Sequence, residues 1–385
     1  MIVSQNLENS AKLIREKREE LGLTQKELAD SIGLSKYGDR TIRRWENNES
    51  KPSQLELNAI LSFCDKIPFK NQKRDYSMID LFSGIGGTRL GFYQTNKVYN
   101  VFSSEIDKFA VKTYKINFGE KPHGDITKID EKTIPDHDIL VGGFPCQAFS
   151  QAGLKKGFND TRGTLFFDIA RIIKEKKPKA FLLENVKNLK NHDGGNTFKV
   201  INDTLEQLGY QVYDKVLRAR DFGLPQNRER IYIVGFNKEL DCIDFSYPEP
   251  LKIETSVGKI LEDQVDDKYT ISDKLWEGHK RRKINNKKEG KGFGYGLFNE
   301  NSEYTNTISA RYYKDGSEIL IEQTGKNPRK LTPREAARLQ GFPEDFIIPV
   351  SDTQAYRQFG NSVAVPVIYH IAENIIEVLD KNKKE

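Results

Sequence analysis

Residues 77–87 have the sequence Ser-Met-Ile-Asp-Leu-Phe-Ser-Gly-Ile-Gly-Gly, a short apolar run that enters a glycine-rich turn. This pattern predicts a buried strand that turns sharply into a helix. Glycines such as Gly84 and Gly86 let the backbone of that turn approach a ligand closely. Downstream, up to about residue 245, strand-like and helix-like segments alternate. The alternation predicts an α/β fold with a doubly wound, mostly parallel sheet.

Two acidic residues after the glycine turn have the spacing of a nucleoside-binding site. Glu105 ends the second strand-like segment about twenty residues later, where a carboxylate of such folds accepts hydrogen bonds from ribose hydroxyls. The sequence Gly124-Asp125-Ile126 is predicted to end a third strand, with Asp125 close to an adenine amino group. The turn lacks the G-x-G-x-x-G spacing of dinucleotide folds, so we expect a nucleoside ligand without phosphates, such as S-adenosylmethionine. For the glycines alone, an ordinary tight turn is the alternative.

Three further motifs carry the candidates for catalysis. The sequence GGFPCQAFS, residues 142–150, places Cys146 after a strand, where a thiolate nucleophile would face the crevice at the strand ends. Glu184 ends the strand-like AFLLE, and the pair Arg228 and Arg230 precedes the strand-like IYIVGF. A buried carboxylate at a strand end is costly without a partner, which favours a role in the site. Taken alone, the two arginines also suit a solvated charged loop.

The first 70 residues have a helical pattern instead. Thr24 and Glu27 form a predicted capping box at the start of a short helix. A further helix, predicted to be capped by Asp39, carries three cations, Arg40, Arg43 and Arg44. The sequences LTQKELA and TIRRWE resemble those of lambda-repressor-like DNA-binding domains. We therefore expect an all-α helix-turn-helix domain over residues 1–70. A small helical interaction module is the alternative, because the charge of this region is nearly balanced.

The alternation of strands and helices stops between about residues 246 and 330. Within that segment, residues 268–291 contain nine basic and three acidic residues, and their net charge of +6 exceeds the +5 of the whole chain. Such a basic stretch is expected to contact phosphates. A helical pattern returns near residues 332–339. The sequence therefore predicts a catalytic domain over 76–245 that resumes at 331–385, with an inserted segment over 246–330.

The composition excludes several classes of protein. The chain has 385 residues, of which 37% are hydrophobic and 30% charged, as is typical of a globular protein of two or three domains. Three cysteines are too few for a disulfide framework or a zinc site, so no metal is expected, and Cys64 and Cys242 are expected to be structural. Neither a signal peptide nor an apolar run of membrane-span length is present, so we expect a cytoplasmic protein without a membrane partner.

Together these motifs resemble those of the DNA (cytosine-5)-methyltransferases. The similar sequences occur in the family's order and cover residues 77 to about 380: DLFSGIGG, SSEID, GDIT, GGFPCQAFS, RGTLFFDIARI, ENVKNL, QNRERIYIVGF, LTPREAARLQGFP and QFGNSVAVPV. The resemblance implies a Rossmann-like, S-adenosylmethionine-dependent methyltransferase core. In this family the variable segment, here residues 246–330, forms a small target-recognition domain.

The resemblance gives each catalytic candidate a role. The Cys146 thiolate would attack carbon 6 of cytosine, which activates carbon 5 to take the methyl group. Glu184 would hydrogen-bond to N3 and the exocyclic amine of the base. Arg228 and Arg230 would orient the cytosine and steady the catalytic centre.

The resemblance also implies that the target base is flipped out of the duplex, because carbon 6 cannot be reached within the base stack. Residues 147–164 resemble the loop that closes over the flipped base, with Gln147 and Ser150 as DNA contacts. The partner implied is therefore double-stranded DNA.

The match further assigns the contacts with S-adenosylmethionine. Phe82 would pack on the cofactor, and Glu105 would accept the ribose hydroxyls. Many relatives have an aromatic residue after this acid, whereas Ile106 is aliphatic and offers a simple apolar contact. The predicted cofactor-binding residues are Phe82, Gly84, Gly86, Glu105, Ile106, Asp125, Ile126, Leu165, Asn361 and Ser362.

The inserted segment has a resemblance of its own. Residues 291–321, KGFGYGLFNENSEYTNTISARYYKDGSEILI, are similar to the recognition segment of the Dcm/EcoRII-like subgroup. That similarity implies methylation of the inner cytosine of CCWGG or CCNGG. Arg311, Tyr312 and Lys314 are the candidates for contacts in the major groove. The alternative is that this part builds a β-hairpin with its turn at Asp315-Gly316.

One main hypothesis and two alternatives follow. The chain is expected to be a modification methyltransferase that acts as a monomer and protects its own restriction site from a cognate endonuclease, without a stable complex between the two. A repressor that binds its own promoter as a dimer through the helix-turn-helix is a second role, compatible with the first. RNA methylation by the same chemistry is the third, and the long recognition segment disfavours it.

Overall fold

The computed structural model of the chain describes residues 9–34, 37–63, 67–144, 165–292 and 294–383. The predictions for Cys64, Cys146, Gln147 and Ser150 lie outside these residues. The prediction of a structural role for Cys242 is wrong, because its side chain is exposed and its thiol is free. The helices are α1 (Ser10–Glu20), α2 (Gln25–Ser31), α3 (Gly38–Glu46), α4 (Gln54–Ser62), α5 (Gly87–Gln94), α6 (Lys108–Phe118), α7 (Leu165–Lys176), α8 (Asn196–Gln207), α9 (Asp273–Lys288), α10 (Pro333–Leu339), α11 (Asp352–Asn361) and α12 (Val365–Lys381). The strands are β1 (Tyr76–Leu81), β2 (Val98–Ser104), β3 (Ile139–Gly143), β4 (Ala180–Val186), β5 (Tyr210–Arg218), β6 (Glu229–Asn237), β7 (Leu297–Phe298) and β8 (Leu320–Ile321).

The main sheet has six strands in the order β2-β1-β3-β4-β6-β5. The first four are parallel, whereas β6 runs antiparallel to both β4 and β5, which confirms the mostly parallel α/β fold. The strand predicted to end at Asp125 is wrong. His123 makes an isolated bridge with Ser104, and residues Ile126–Lys128 then form a 3-10 turn. The Asp125 side chain starts that turn by accepting the N–H of Thr127.

Alternate side chains of the central strands pack into separate cores on the two faces of the sheet. Tyr76 and Met78 of β1 join the core formed with α5 and α12. Ile79 and Leu81 join the opposite core, formed with α7 and α8. Every residue of β1 is buried, as expected for a parallel strand covered on both sides. Because β1, β3 and β4 are parallel, their carboxyl ends meet at one edge of the sheet.

The segment 246–330 shares a third core with the catalytic part. Its residues Ile308 and Ile321 belong to one cluster with side chains of α6, α10 and α11. The alternative of a β-hairpin with its turn at Asp315-Gly316 is wrong, because β7 and β8 pair in parallel and lie more than 20 residues apart in sequence. A buried bidentate ion pair joins the end of the segment to α10: Arg329 donates to Glu335 at 2.7 and 2.8 Å.

The N-terminal helices α1–α4 enclose a core of their own, in which Ile42 and Trp45 are buried. The predicted capping box of Thr24 and Glu27 is confirmed, and Ser53 forms another at the start of α4. The predicted cap at Asp39 is wrong, because α3 begins at Gly38. Asp39 lies in the first turn, where its negative charge is favourable for the helix dipole.

This N-terminal unit packs on helix α6 of the catalytic part. Ile116 of α6 is 5% exposed and belongs to the N-terminal core. Lys112 forms an ion pair with Glu27, and both side chains are 13% exposed. Lys115 donates to the carbonyl oxygen of Glu20 at 3.1 Å. Helix α6 begins directly after Ile106 and Asp107, so the contact lies one helix away from the predicted ribose site.

The C-terminal helix α12 closes one face of the sheet. The segment Asp352–Lys381 has the length and apolar composition of a membrane span, but 61% of its most apolar window is buried inside the protein. Side chains along α12, such as Ile368 and Ile375, pack against the strands. Burying such a side chain stabilises the fold by roughly 1.5–3 kcal/mol, which accounts for the apolar composition without a membrane.

Candidate active site

The carboxyl ends of β1, β3 and β4 open onto a cavity of about 470 Å³. Its walls come from the glycine turn, the end of β2, the ends of β3 and β4, the start of β6 and helix α11. The predicted residues that line it are Phe82, Gly84, Glu105, Ile106, Leu165, Glu184, Arg228, Arg230, Asn361 and Ser362. Cofactor and catalytic candidates that lie far apart in sequence therefore share one cavity.

The glycine turn forms the cavity wall between β1 and α5. Phe82 has a φ of 56°, a left-handed conformation that costs energy for a residue with a side chain and that recurs at functional sites. Gly86 also has a positive φ, 84°, but it does not line the cavity. A Cβ at Gly86 would lie 2.3 Å from the ring of Phe118, so this glycine permits the turn and its close packing.

Glu105 is fixed in the wall by backbone donors. Its carboxylate accepts the N–H of Gly84 at 2.8 Å, of Ile106 at 2.8 Å and of Asp107 at 2.7 Å. The next side chain, Ile106, is 75% exposed although it is apolar. The end of β2 therefore offers a held carboxylate beside an open apolar surface.

The structure does not bring Asp125 and Ile126 to the cavity wall. The Asp125 carboxylate accepts the hydroxyl of Thr127 at 2.8 Å and its N–H at 3.1 Å, and these bonds lower the pKa of Asp125. Ile126 is 3% exposed, and its carbonyl accepts a hydrogen bond from Arg171 at 2.6 Å. Both residues complete a turn outside the cavity instead of lining it.

Glu184 and Arg230 form an ion pair in the wall opposite the glycine turn. Nε of Arg230 lies 3.1 Å from Oε1 of Glu184, and the side chains are 17% and 14% exposed. In the antiparallel register, Glu184 is opposite Tyr232, two residues after Arg230, so both side chains project from the same face. The ion pair lacks hydrogen-bond geometry, and Oε1 has no other partner among the described residues. Its acceptor capacity remains available to a ligand.

Arg228 is buried behind that pair and holds three segments together. Its guanidinium donates to the carbonyl oxygens of Ile308 at 3.5 Å, Gly360 at 3.4 Å and Ser362 at 2.5 Å. Burial and the neighbouring Arg230 lower the pKa of Arg228 to about 10. The side chain thereby ties β6 to the segment 246–330 and to the corner between α11 and α12.

Asn185 holds the backbone next to Glu184, a role that its sequence context does not indicate. It is 3% exposed, and its Nδ2 donates to the carbonyl oxygen of Phe144 at 2.9 Å. Phe144 is the last described residue before Cys146 and lines the cavity. The bond therefore holds the chain that leads into the cysteine motif beside Glu184.

Helix α11 contributes a stripe of polar side chains to the remaining wall. Gln354, Arg357, Gln358 and Asn361 line the cavity and have the i, i+3, i+4, i+7 spacing of one helix face. Nε2 of Gln358 is buried without a hydrogen-bond partner among the described residues, as is Oγ of Ser362. The sequence predicted Asn361 and Ser362 as site residues. The helical spacing that leads back from Asn361 would also have indicated Gln354, Arg357 and Gln358.

The predicted DNA-reading residues separate into two groups. Arg311 and Lys314 are exposed, as are Arg40, Arg43 and Arg44 on α3. Tyr312 is fully buried, donates to the carbonyl oxygen of Ile319 at 2.7 Å and accepts the N–H of Leu331 at 2.8 Å. The prediction of a groove contact for Tyr312 is therefore wrong, because its side chain is part of the core.

Comparison with known proteins agrees with this architecture. Residues 76–377 match the family of C-5 cytosine-specific DNA methylases, and residues 14–69 match a helix-turn-helix family. The type II methyltransferase M1.ScrFI of Lactococcus lactis subsp. cremoris is 74% identical over 97% of this chain and 96% of its own length. M.SsoII of Shigella sonnei is 72% identical over 97% of this chain and 99% of its own length.

Another relative is shorter than these two. The type II methyltransferase M.NlaX of Neisseria lactamica is 69% identical over 302 residues, which are 78% of this chain and 96% of that protein. M.NlaX therefore has no room for a region the size of α1–α4 beyond the aligned part.

Solved structures support the fold of the catalytic part. The methyltransferase EhMeth of Entamoeba histolytica covers 81% of this chain and 100% of its own with a TM-score of 0.65, at 22% identity. A putative DNA modification methyltransferase from an Escherichia coli prophage covers 79% of this chain and 99% of its own with a TM-score of 0.58, at 25% identity. The chain therefore belongs to the family of C-5 cytosine-specific DNA methylases, as an enzyme that carries an additional N-terminal helix-turn-helix region.

Proposed function

We propose that this enzyme methylates the inner cytosine of CCWGG or CCNGG in duplex DNA, and that it thereby protects the DNA from a cognate restriction endonuclease. The proposed reaction is carried by one observation: Glu184, with its ion-pair partner Arg230, projects into the same cavity as the glycine turn. The proposed target sequence rests on the similarity of residues 291–321 to the recognition segment of the Dcm/EcoRII-like subgroup. A base recognised by Glu184 would consequently lie next to a methyl donor at the turn. The similarity to type II methyltransferases supports the biological role.

The residues of the cavity fit S-adenosylmethionine, on which enzymes of this family depend. Glu105 presents a fixed carboxylate for the ribose hydroxyls, and Phe82 and Ile106 present apolar surface for the adenine. The buried and unpaired Oγ of Ser362 and Nε2 of Gln358 are polar groups that a bound ligand would satisfy. When bound, the cofactor supplies an electrophilic methyl group.

Cys146 is the proposed nucleophile. It follows Phe144 by two residues in sequence, and Phe144 and Glu184 line the same cavity. The thiolate would form a bond to carbon 6, and the ring electrons would move towards carbon 5. Carbon 5 would then take the methyl group, while the bond between that methyl group and the sulfonium sulfur breaks and leaves its electron pair on the sulfur. Solvent takes the proton from carbon 5, and Cys146 leaves with its electron pair, which restores the ring.

Glu184 makes the ring receptive to that attack. A carboxyl that donates to N3 and accepts from the exocyclic amine stabilises the charge that develops as carbon 6 is attacked. Arg230 holds Glu184 in place through the ion pair. Since this chemistry needs the whole face of the pyrimidine, the target base must leave the duplex stack.

The experiment that tests the reaction and the site is bisulfite sequencing of DNA from cells that express the chain. We expect conversion to fail at the inner cytosine of CCWGG or CCNGG and nowhere else. Cys146→Ala should abolish the protection while DNA binding persists, whereas Cys242→Ala, at an exposed free thiol, is the matched control and should not change it. Methylation in another sequence would refute the proposed site, and turnover by Cys146→Ala would refute the nucleophile.

We further propose that helices α1–α4 bind the promoter of the enzyme's own gene as a dimer and repress it. Arg40, Arg43 and Arg44 on α3 are exposed, as a recognition helix requires. The length of M.NlaX supports a separable role for this region. Arg43→Ala combined with Arg44→Ala should weaken the gel shift of a promoter fragment and leave methylation intact. A loss of methylation in the folded variant would refute this separation.

The proposed division of the chain follows from these roles. Residues 1–70 regulate, residues 76–245 and 331–385 carry out catalysis, and residues 246–330 recognise the target. The enzyme would methylate as a monomer in the cytoplasm, where its DNA lies.

A further inference from the structure

Of the three described arginines that line the cavity, one has neither an acidic partner nor a backbone acceptor among the described residues. Arg230 pairs with Glu184, and the guanidinium of Arg228 is used by backbone carbonyls. Arg357 of α11 is exposed, and within the described part of the chain its guanidinium hydrogen-bonds to Tyr313 alone. A guanidinium held at a cavity rim without a carboxylate is a binding group for an anion.

Tyr313 holds the Arg357 side chain towards the recognition segment. The guanidinium carbon lies 4.9 Å from the centre of the Tyr313 ring, and Nη2 lies 3.4 Å from its hydroxyl oxygen. The hydrogen bond with Arg357 lowers the pKa of Tyr313. The cation–π contact orients the planar guanidinium without neutralising its charge.

Two more cations lie next to Tyr313 in the chain. Arg311 and Lys314 are exposed and form no ion pair with a carboxylate of the described residues. Arg357 and these two residues are three cations without a carboxylate partner near the contact between α11 and the recognition segment, whereas Glu105 and Asp107 of the cavity wall are acidic. A polyanion that approaches from the recognition segment would be attracted by these cations.

We propose that Arg357 binds the DNA phosphate next to the extruded cytosine, with Tyr313 as the residue that positions its guanidinium. A base can leave the duplex only if its own backbone turns with it, so the flanking phosphates approach the cavity mouth. A planar guanidinium binds two phosphate oxygens at once, which would fix the rotated backbone. The inference deepens the methyltransferase activity and does not depend on which sequence is methylated.

Steady-state kinetics on unmethylated plasmid DNA, which contains every short site, provide the first test. For Arg357→Ala we expect the KM for DNA to rise roughly tenfold, because a charge-assisted hydrogen bond is lost. The slope of log KM against the logarithm of the salt concentration should decrease by about one, as expected for the loss of one phosphate contact. Arg357→Lys keeps the charge but lacks the planar group that binds two phosphate oxygens at once, so its KM for DNA should lie between those of the wild type and Arg357→Ala. Lys199→Ala, which removes an exposed cation from α8 outside the cavity, is the control and should match the wild type.

The same data exclude the competing ligand, the carboxylate of the cofactor. If Arg357→Ala raises the KM for S-adenosylmethionine and leaves the KM for DNA unchanged, Arg357 binds the cofactor and the proposal is wrong. Unchanged values for both substrates would also overturn it. Tyr313→Phe keeps the ring and should remain close to the wild type, whereas Tyr313→Leu should lose part of the DNA affinity with no change in kcat.

Neutral methylphosphonates locate the contact and need only the wild-type chain if a variant fails to fold. The phosphates on either side of the target cytosine are replaced one at a time in a short duplex. The wild type should lose roughly tenfold in affinity at one of them, and Arg357→Ala should lose no more there. The proposed contact does not exist if neither phosphate replacement changes the affinity of the wild type. It also does not exist if the loss from the replacement and the loss from Arg357→Ala simply add.

Discussion

Helices α1–α4 and the recognition segment 246–330 are both proposed to contact DNA, but they are attached to the catalytic core in different ways. The N-terminal helices enclose their own core and touch the rest of the enzyme chiefly through one face of α6. The described residues of the recognition segment form no separate core, because most of their buried apolar side chains join those of α6, α10 and α11. A chain can therefore acquire or lose the first unit as a module, whereas the second cannot be removed without opening the catalytic part.

The sequence itself provides a probe for each region, since the chain has two tryptophans. Trp45 is buried among the N-terminal helices, and Trp276 lies on α9 against Tyr295. Trp276→Phe leaves a signal from the N-terminal unit alone, and Trp45→Phe leaves one from the recognition segment. Three of the four predictions below use this separation.

The largest effect is expected at the point where the N-terminal region meets the catalytic part. A chain that begins at Ile67 should fold and methylate DNA with kcat/KM within about threefold of the full chain, whereas one that begins at Arg74 should be severely destabilised. The difference is Phe69, which is 6% exposed in the shared third core, and Asn71, which exchanges two hydrogen bonds with Asn100. Losing a buried phenylalanine alone costs about 3–5 kcal/mol.

Thermal unfolding and methylation assays of the two truncations check this prediction. Phe69→Ala in the full chain is the matched control, because it removes the side chain and keeps the backbone. Equal stability of the two truncated chains would show that residues 67–73 are a mere linker, as their polar composition suggests. Inactivity of a folded chain from Ile67 would show that the N-terminal unit is required for methylation.

A second prediction concerns the attachment of the recognition segment. Arg329→Ala leaves the fully buried carboxylate of Glu335 without its partner and should cost about 3–5 kcal/mol. Arg338→Ala is the control, since its pair with Glu344 is largely exposed and should contribute less than about 1 kcal/mol. In urea, the Trp276 signal and methylation activity of Arg329→Ala should be lost together. Loss of the Trp276 signal with activity retained would contradict a shared core.

The sequence predicted what depends on local pattern and left out what depends on distant neighbours. The apolar runs that became β1, β3 and β4, the capping box at Thr24 and the motifs that converge on the cavity are all local signals. Tyr312 was misplaced because nothing in SARYYKDG shows that Ile319 and Leu331 will take both of its hydrogen bonds. Arg357 was missed for the same reason, since its meaning comes from Tyr313, which lies 44 residues away in sequence.

A third and smaller effect is expected at the contact between α6 and the N-terminal unit. Ile116→Ala removes an apolar side chain that is buried against α1–α4 and should loosen that unit by roughly 2 kcal/mol. The Trp45 signal should then change at a lower urea concentration, while the Trp276 signal and methylation stay as in the wild type. If both signals shift equally, the two regions unfold as one unit and the modular description is wrong.

The smallest effect is a pH dependence of the same contact. Burial tends to raise the pKa of Glu27, but hydrogen bonds from Lys112 and from Thr24 outweigh it and lower the pKa below its ordinary value of 4.5. A lowered pKa in the folded state contributes stability above the unfolded pKa, and this contribution is lost as the pH falls through the folded value. We therefore expect α1–α4 to loosen below about pH 4.5 by at most about 1 kcal/mol, because the pair is near the surface.

Glu27→Gln preserves the capping box and removes the charge, so its Trp45 urea midpoint should be lower at pH 7 and should decline less between pH 6 and pH 4 than that of the wild type. An equal decline in both proteins would place the acid sensitivity elsewhere and leave the apolar contact of Ile116 as the main attachment of the module.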